Sequence, residues 1–277
     1  MPSKQMLFGT GGIPRSTKGT SSISGIKKIR ELSLDCMELE FVQGVRMGEK
    51  GAKNVLEAAK KEEVALSVHA PYYVNLNSYE EEKLKASLER IYQAARIGSL
   101  CGAESIVLHA GFYQKSSKKH TFESVSKALK ELTGQLKNEG IPAVLRPETM
   151  GKRTQFGTLE EVLALSSEIE GVMPCLDFCH LHAREGKENS YFEFTEILSL
   201  VEESLGKEGL LNMHMHVSGV EYGINGEKRH LNLKESDFNY PELIRVLKEF
   251  KARGRIILES PILEEDAFML RKLYNEI

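Results

Sequence analysis

Cysteine is scarce in this chain. Cys36, Cys101, Cys175 and Cys179 are the only four among 277 residues, too few and too irregularly spaced for a disulfide framework. None forms the paired CxxC of a zinc knuckle, so all four are expected to be reduced, partly buried small residues. No apolar run approaches the roughly 18 residues that span a bilayer, which removes a membrane partner from the expectations. The opening segment MPSKQMLFGTGG lacks the charged, apolar and small-residue layout of a signal peptide, and a cytoplasmic protein is expected. Charge of one sign is missing as well: 37 Lys and Arg against 40 Asp and Glu leave a formal net charge of −3. That balance argues against a general nucleic-acid coat protein while permitting local basic patches. No low-complexity linker or shift in composition divides the chain, so residues 1–277 are read as one domain.

What the chain has is alternation. Short runs rich in Val, Ile and Leu occur at 5–9, 36–41, 65–70, 105–110, 143–148, 172–178, 211–217 and 255–260. Amphipathic stretches near 22–33, 49–61, 79–100, 121–138, 158–169, 190–205, 240–252 and 263–276 follow them in turn, with Ser78 as N-cap of the third. Eight strand–helix units predict an α/β fold, the (β/α)8 TIM barrel. An open doubly wound sheet is the alternative, but its GxGxxG turn is absent because Gly9, Gly11 and Gly12 are wrongly spaced. A polar excursion, SGVEYGINGEKRHLNL, interrupts the pattern before the eighth unit.

Ligand-type side chains stand at the ends of the apolar runs: His69, His109, Glu148, Asp177 with His180, His214 with His216, and Glu259. In such a barrel the carboxyl ends of the strands form one face, where catalytic groups collect. A single strand-end histidine is usually a hydrogen-bonded surface or core group. Six strands ending this way are harder to explain, because gathering so many ionisable groups without a cation is costly. Imidazole and carboxylate donors suit zinc, manganese or iron, and the lack of cysteine among them points to a catalytic site.

These residues also carry a family resemblance over nearly the whole chain. HAPYYVNL, VLHAG, PET followed by glycine, CLDFCH, the MH before the excursion, the RH within it and ILES together resemble the motifs of endonuclease IV, the metal-dependent apurinic/apyrimidinic endonuclease on a (β/α)8 barrel. The resemblance implies two or three zinc ions. His69 and His109 would hold one, Glu148 would bridge to a second completed by Asp177, His216 and Glu259, and His180 with His230 would hold the third. His214, two residues deeper than His216 on the same strand face, reads as a supporting or core residue, His182 as an exposed loop histidine and His120 as solvated. The implied reaction is hydrolysis of the phosphodiester 5′ to an abasic site in damaged double-stranded DNA, with Glu148 positioning the attacking water. The enzyme would act as a monomer, associated with the nucleoid when on DNA. Tyr72 would meet the abasic nucleotide. The basic loops with Arg15, with Lys115–Lys119, and with Lys152 and Arg153 would contact phosphates.

Two residues depart from that pattern. The family's aspartate two positions before the last histidine is Lys228 here, which leaves three openings: adjacent Glu227 substitutes after a loop rearrangement, the third metal is lost, or Lys228 itself offers charge to the phosphate. Glu40, in CMELEF, stands where sugar isomerases and epimerases of the same superfamily carry a strand-end glutamate. A sugar isomerase or epimerase, using one or two metals and a proton-transferring carboxylate, is therefore the second reading. A non-catalytic binder of damaged DNA or a small ligand is the third.

Overall fold

In the computed structural model, which describes residues 5–277, the alternating runs become a ring of parallel strands with helices outside it. In chain order the strands are β1 Met6–Gly11, β2 Cys36–Glu40, β3 Ala65–His69, β4 Ser105–Leu108, β5 Val144–Pro147, β6 Leu176–Asp177, β7 Met213–Val217, β8 Gly219–Gly223, β9 Gly226–Leu231 and β10 Gly254–Leu258. Eight of them share one sheet in the order β5-β4-β3-β2-β1-β10-β7-β6, and β8 and β9 form a separate antiparallel hairpin. The gap between β5 and β6 is spanned by isolated parallel bridges, Leu145 with Val172 and Glu148 with Cys175. Every residue of β4 and β7 is buried, as expected of strands covered on both faces. Inside the ring the fully buried Arg146 donates to Ser105 Oγ, Pro174 O and the Asn212 side chain, so its charge sits among acceptors rather than against bare hydrocarbon.

The helices are α1 Ser22–Glu31, α2 Glu49–Glu62, α3 Glu81–Leu100, α4 Lys118–Asn138, α5 Leu159–Glu168, α6 Phe178–Glu185, α7 Tyr191–Leu211, α8 Tyr240–Glu249 and α9 Glu264–Glu276. Local chemistry explains most boundaries. Thr158 and Glu161 form a capping box at the start of α5. Ser117 accepts from His120 N, so α4 begins three residues earlier than the apolar periodicity predicts. α3 begins two residues later than predicted: Glu80 occupies the N-cap, and the Ser78 hydroxyl accepts from Glu80 N one turn ahead of the helix. α7 runs past the predicted end at 205 through a break at Gly206, whose φ of 67° suits glycine.

Two larger differences bear on the site. The apolar run 172–178 yields a strand of only two residues, because Asp177 caps a new helix, α6, by accepting from His180 N. The polar excursion, left without structure in the sequence reading, folds as the β8–β9 hairpin over the carboxyl end of the barrel. Among the described residues, no helix is long and apolar enough to cross a membrane.

Candidate metal centre

The strand ends bring the ligand-type side chains together around Glu148. Its Oε2 lies 3.3 Å from His69 Nε2 and 3.0 Å from His109 Nε2, and its Oε1 lies 3.3 Å from both His180 Nδ1 and His216 Nδ1. Among the described residues, five sets of donors, each mutually within 4.8 Å, follow from the packing, and three of them line the cluster around Glu148: His69, His109 and Glu148; Glu148, Asp177, His216 and Glu259; and Asp177, Cys179, His180 and His230. Cys179 contributes little to the third. Its Sγ is 3.2 Å from Ser218 Oγ, and burial first, then Asp177, push the thiol far above the range where it would ionise.

Three of the imidazoles are held through one nitrogen so that the other faces inward. His69 Nδ1 donates to Ala70 O at 2.7 Å, His180 Nδ1 to Thr149 O at 3.0 Å, and His230 Nδ1 to Glu259 O at 3.2 Å. Donation from Nδ1 leaves Nε2 as the free electron pair in a neutral ring. His180 Nε2 and His230 Nε2 consequently point at each other across 3.4 Å. Two lone pairs in that position repel unless a cation or a proton lies between them. Asp177 Oδ2, buried and without a hydrogen-bond partner, adds a second unmet demand for positive charge. The donor set therefore fits a centre of divalent cations.

Electrostatics without a cation lead to the same conclusion. Burial raises the Glu148 carboxyl, but His109, His216 and His180 outweigh it and hold the group well below the usual carboxylate range. Burial likewise opposes charge on His69, yet Glu148 and Glu40 raise it to about 9; Asp177 and Glu148 raise His180 to about 10. His109 goes the other way, lowered mainly by burial. The acids around them thus favour positive charge on His69 and His180 but not on His109.

The hairpin resolves the departure at Lys228. A β-bulge shifts the β8–β9 register between Glu221 and Tyr222, so that Glu221 pairs with Arg229 and Tyr222 with Glu227. Lys228 is the extra residue, and a bulge breaks the alternation of side chains. Lys228 and Arg229 both turn outward onto Glu221, at 3.4 and 2.8 Å. Glu227 turns inward, its Oε2 3.6 Å from His180 Nε2. The position expected of Lys228 beside the third donor set is thus held by Glu227.

Other expected residues are placed as follows. Tyr72 stacks on His109 with centroids 5.0 Å apart and remains 47% exposed beside the cluster. Lys152 lines the mouth, a cavity of about 420 Å³ that also borders Glu227, Phe112 and Gln155. Arg15 does not line it: the backbone N–H groups of Arg15 and Ser16 donate to the Glu264 carboxylate, which fixes that loop against α9. Arg153 is drawn aside by Glu185 and the Arg184 carbonyl. Glu40 lies at the end of β2, paired in register with His69; burial raises its carboxyl to about 8, and Oε1 has no hydrogen-bond partner. His182 is not an exposed loop residue. It is buried in α6, donating through Nδ1 to Lys187 O and facing Asp237 through Nε2, because α6 exists where a loop was expected.

Glu38 received no role in the sequence reading, although its spacing from Glu40 places both on one face of β2. It is wholly buried, 2.9 Å from His216 Nε2 and 3.0 Å from His214 Nε2, and it accepts from Ser67 Oγ at 2.7 Å. The two histidine contacts are short but out of line with the N–H directions.

Similarity to known proteins agrees with this architecture. An uncharacterized protein of Methanocaldococcus jannaschii is 44% identical over 273 residues, covering 98% of both chains. A protein of Carboxydothermus hydrogenoformans named probable endonuclease 4 is 28% identical over 236 residues, covering 83% of this chain and 82% of its own. Among solved structures, endonuclease IV from Thermus thermophilus superposes with a TM-score of 0.73 at 18% identity, over 99% of this chain and all of the other. A D-tagatose 3-epimerase-like protein superposes with a TM-score of 0.70 at 22% identity, over 98% and 96%. At those identities the superpositions speak for the fold alone. The model of the family described as xylose isomerase-like TIM barrel matches residues 26–273, and the chain belongs to that family.

Proposed function

We propose that this protein is a metal-dependent phosphodiesterase that nicks duplex DNA on the 5′ side of abasic sites, with zinc as its ion. The observation that carries this reading is the third donor set: His180 Nε2 facing His230 Nε2 at 3.4 Å, with Glu227 brought beside them by the bulge. A sugar isomerase working with one or two metals has no need of it. Zinc, manganese and iron all accept imidazole and carboxylate donors, and the sequence relatives named probable endonuclease 4 favour the nuclease reading.

His69, His109 and Glu148 would hold one ion; Glu148, Asp177, His216 and Glu259 a second; His180, His230 and Glu227 the third. Bound there, divalent ions polarise a phosphoryl oxygen, lower the pKa of water and stabilise a leaving alkoxide. The residues of the chain supply the remaining steps. Glu148, ionised at the centre, orients the attacking water. Tyr72 offers an exposed ring against the abasic nucleotide, which lacks a base and costs little to flip out. Lys152 at the rim meets a flanking phosphate.

The test is a duplex with one abasic site incubated with zinc-loaded protein. The expected product is a nick 5′ to the lesion with a 3′-hydroxyl end, abolished by a chelator. An intact duplex at full metal loading overturns the reading. One observation favours an isomerase or epimerase as the second reading: Glu40, with its raised carboxyl and unpartnered Oε1, is placed to move a proton. Interconversion of a ketose by protein carrying a single Mn or Mg, without nicking, would establish it.

A further inference from the structure

His216 is held differently from its neighbours. His69, His180 and His230 each donate one N–H to a backbone carbonyl and turn Nε2 inward. His216 instead turns Nδ1 toward Glu148 and Glu259, at 3.3 and 3.5 Å, and its Nε2 meets the Glu38 carboxylate at 2.9 Å. That carboxylate is wholly buried inside the barrel; the Ser67 hydroxyl donates to Oε2, and His216 Nε2 and His214 Nε2 lie within 3.0 Å of its two oxygens. Burying a carboxylate costs several kcal/mol unless its partners compensate. A residue needed only to fill space in this buried position would be apolar.

We propose that Glu38 is a positioning residue for the metal centre: its charge, 2.9 Å from Nε2 though out of line for a hydrogen bond, favours the His216 proton on Nε2 and leaves Nδ1 as the donor offered to the cation. This proposal rests on the metal-centre reading above. A carboxylate beside the far nitrogen of a ligand histidine fixes which nitrogen carries the proton and strengthens the other as a donor. Ser67 and His214 serve the same arrangement one step further out. Ser67, opposite Glu38 in the β2–β3 register, donates to Oε2 at 2.7 Å, and His214 bounds that oxygen from β7. Two histidines two residues apart on one strand thus have separate tasks, one facing the cation and one facing the carboxylate behind it.

The experiment compares wild type with Glu38→Gln, which keeps the volume and removes the charge. Zinc affinity is read by competition with a chromogenic chelator, and donor geometry by the visible spectrum of the cobalt-substituted protein. The ring state of His216 is read by long-range proton–nitrogen correlation in zinc-loaded, 15N-histidine-labelled protein. The expected outcome is a native circular dichroism spectrum, a 10- to 100-fold loss of affinity at one metal equivalent, an altered cobalt spectrum, and loss of the pattern for Nδ1 coordination with a proton on Nε2. Glu38→Asp, charged but shorter, should recover part of the affinity. Wild-type affinity and spectra in Glu38→Gln would overturn the proposal and leave the metal-centre reading standing. A wild-type protein that binds no zinc would overturn both. Should Glu38→Gln fail to fold, Ser67→Ala, which removes only the hydroxyl anchoring Oε2, should show a smaller change of the same kind; unchanged affinity there would also overturn it.

Discussion

The acid beside the third donor set was open at the level of single residues. Alternation along a regular strand puts Lys228 on the same face as His230 and Glu227 on the opposite one. The bulge reverses this, and a lysine that looked damaging to a metal site is an exposed partner of Glu221. Glu227→Gln should therefore lose one metal equivalent by elemental analysis and slow abasic-site nicking by about 100-fold or more, since stabilising a leaving oxygen is worth several kcal/mol. Lys228→Ala should change neither by more than about twofold, as is usual for an exposed pair. The reverse ranking would remove Glu227 from the site. The histidines give a pH prediction as well. In the metal-free fold His69 is raised to about 9 and His180 to about 10 from an ordinary 6.5, so the stability they supply is complete below 6.5 and is lost as pH rises through 9 to 10. Glu40 acts in the same direction, since its neutral form is favoured up to about 8 rather than 4.5. The melting temperature of metal-free protein should fall steadily from pH 6.5 to 10 in a calorimeter; a flat profile would mean these protons are not held in the fold.

At the scale of elements, the β8–β9 hairpin matters most. It carries Glu227 and His230 and docks on α6, whose His182 shares Asp237 with Tyr222 of the hairpin. Gly226 begins β9 at a φ of +92°, where a Cβ would sit 2.1 Å from the Gly151 carbonyl oxygen. Gly226→Ala should therefore displace the hairpin, lowering metal content by one equivalent while circular dichroism still reports an intact barrel. Full metal content in that variant would show that the hairpin tolerates the shift. The hairpin was not legible in the sequence because GVEYGINGEKRHL has too little apolar alternation to mark two strands, and its order comes from contact with the barrel. The helix α6 was hidden for a related reason: the CLDF run reads as strand until Asp177 is seen to cap the following turn.

For the molecule as a whole, the prediction concerns the cation and stability together. A ligand that binds only the folded state at 100 times its Kd adds about 2.7 kcal/mol. At about 2–4 °C per kcal/mol for a chain near this size, chelation should lower the melting temperature by about 5–10 °C. Zinc should restore it, and magnesium, which prefers oxygen donors and retains its waters, should restore less. Equal melting with and without chelator would argue that the clustered histidines serve the fold on their own.

Periodicity and punctuation by themselves determined the alternation of strand and helix, the barrel, and the gathering of His69, His109, Glu148, Asp177, His216 and Glu259 at one end of it. These follow from local rules, because strand ends in a parallel barrel share one face wherever they lie in the chain. Tertiary structure alone decided that Glu227 rather than Lys228 faces the centre, that His182 is buried, and that Glu38 stands behind His216. Each depends on a contact between segments remote in sequence, or on one inserted residue that reverses the faces of a strand. Neither leaves a periodic trace in the order of the amino acids.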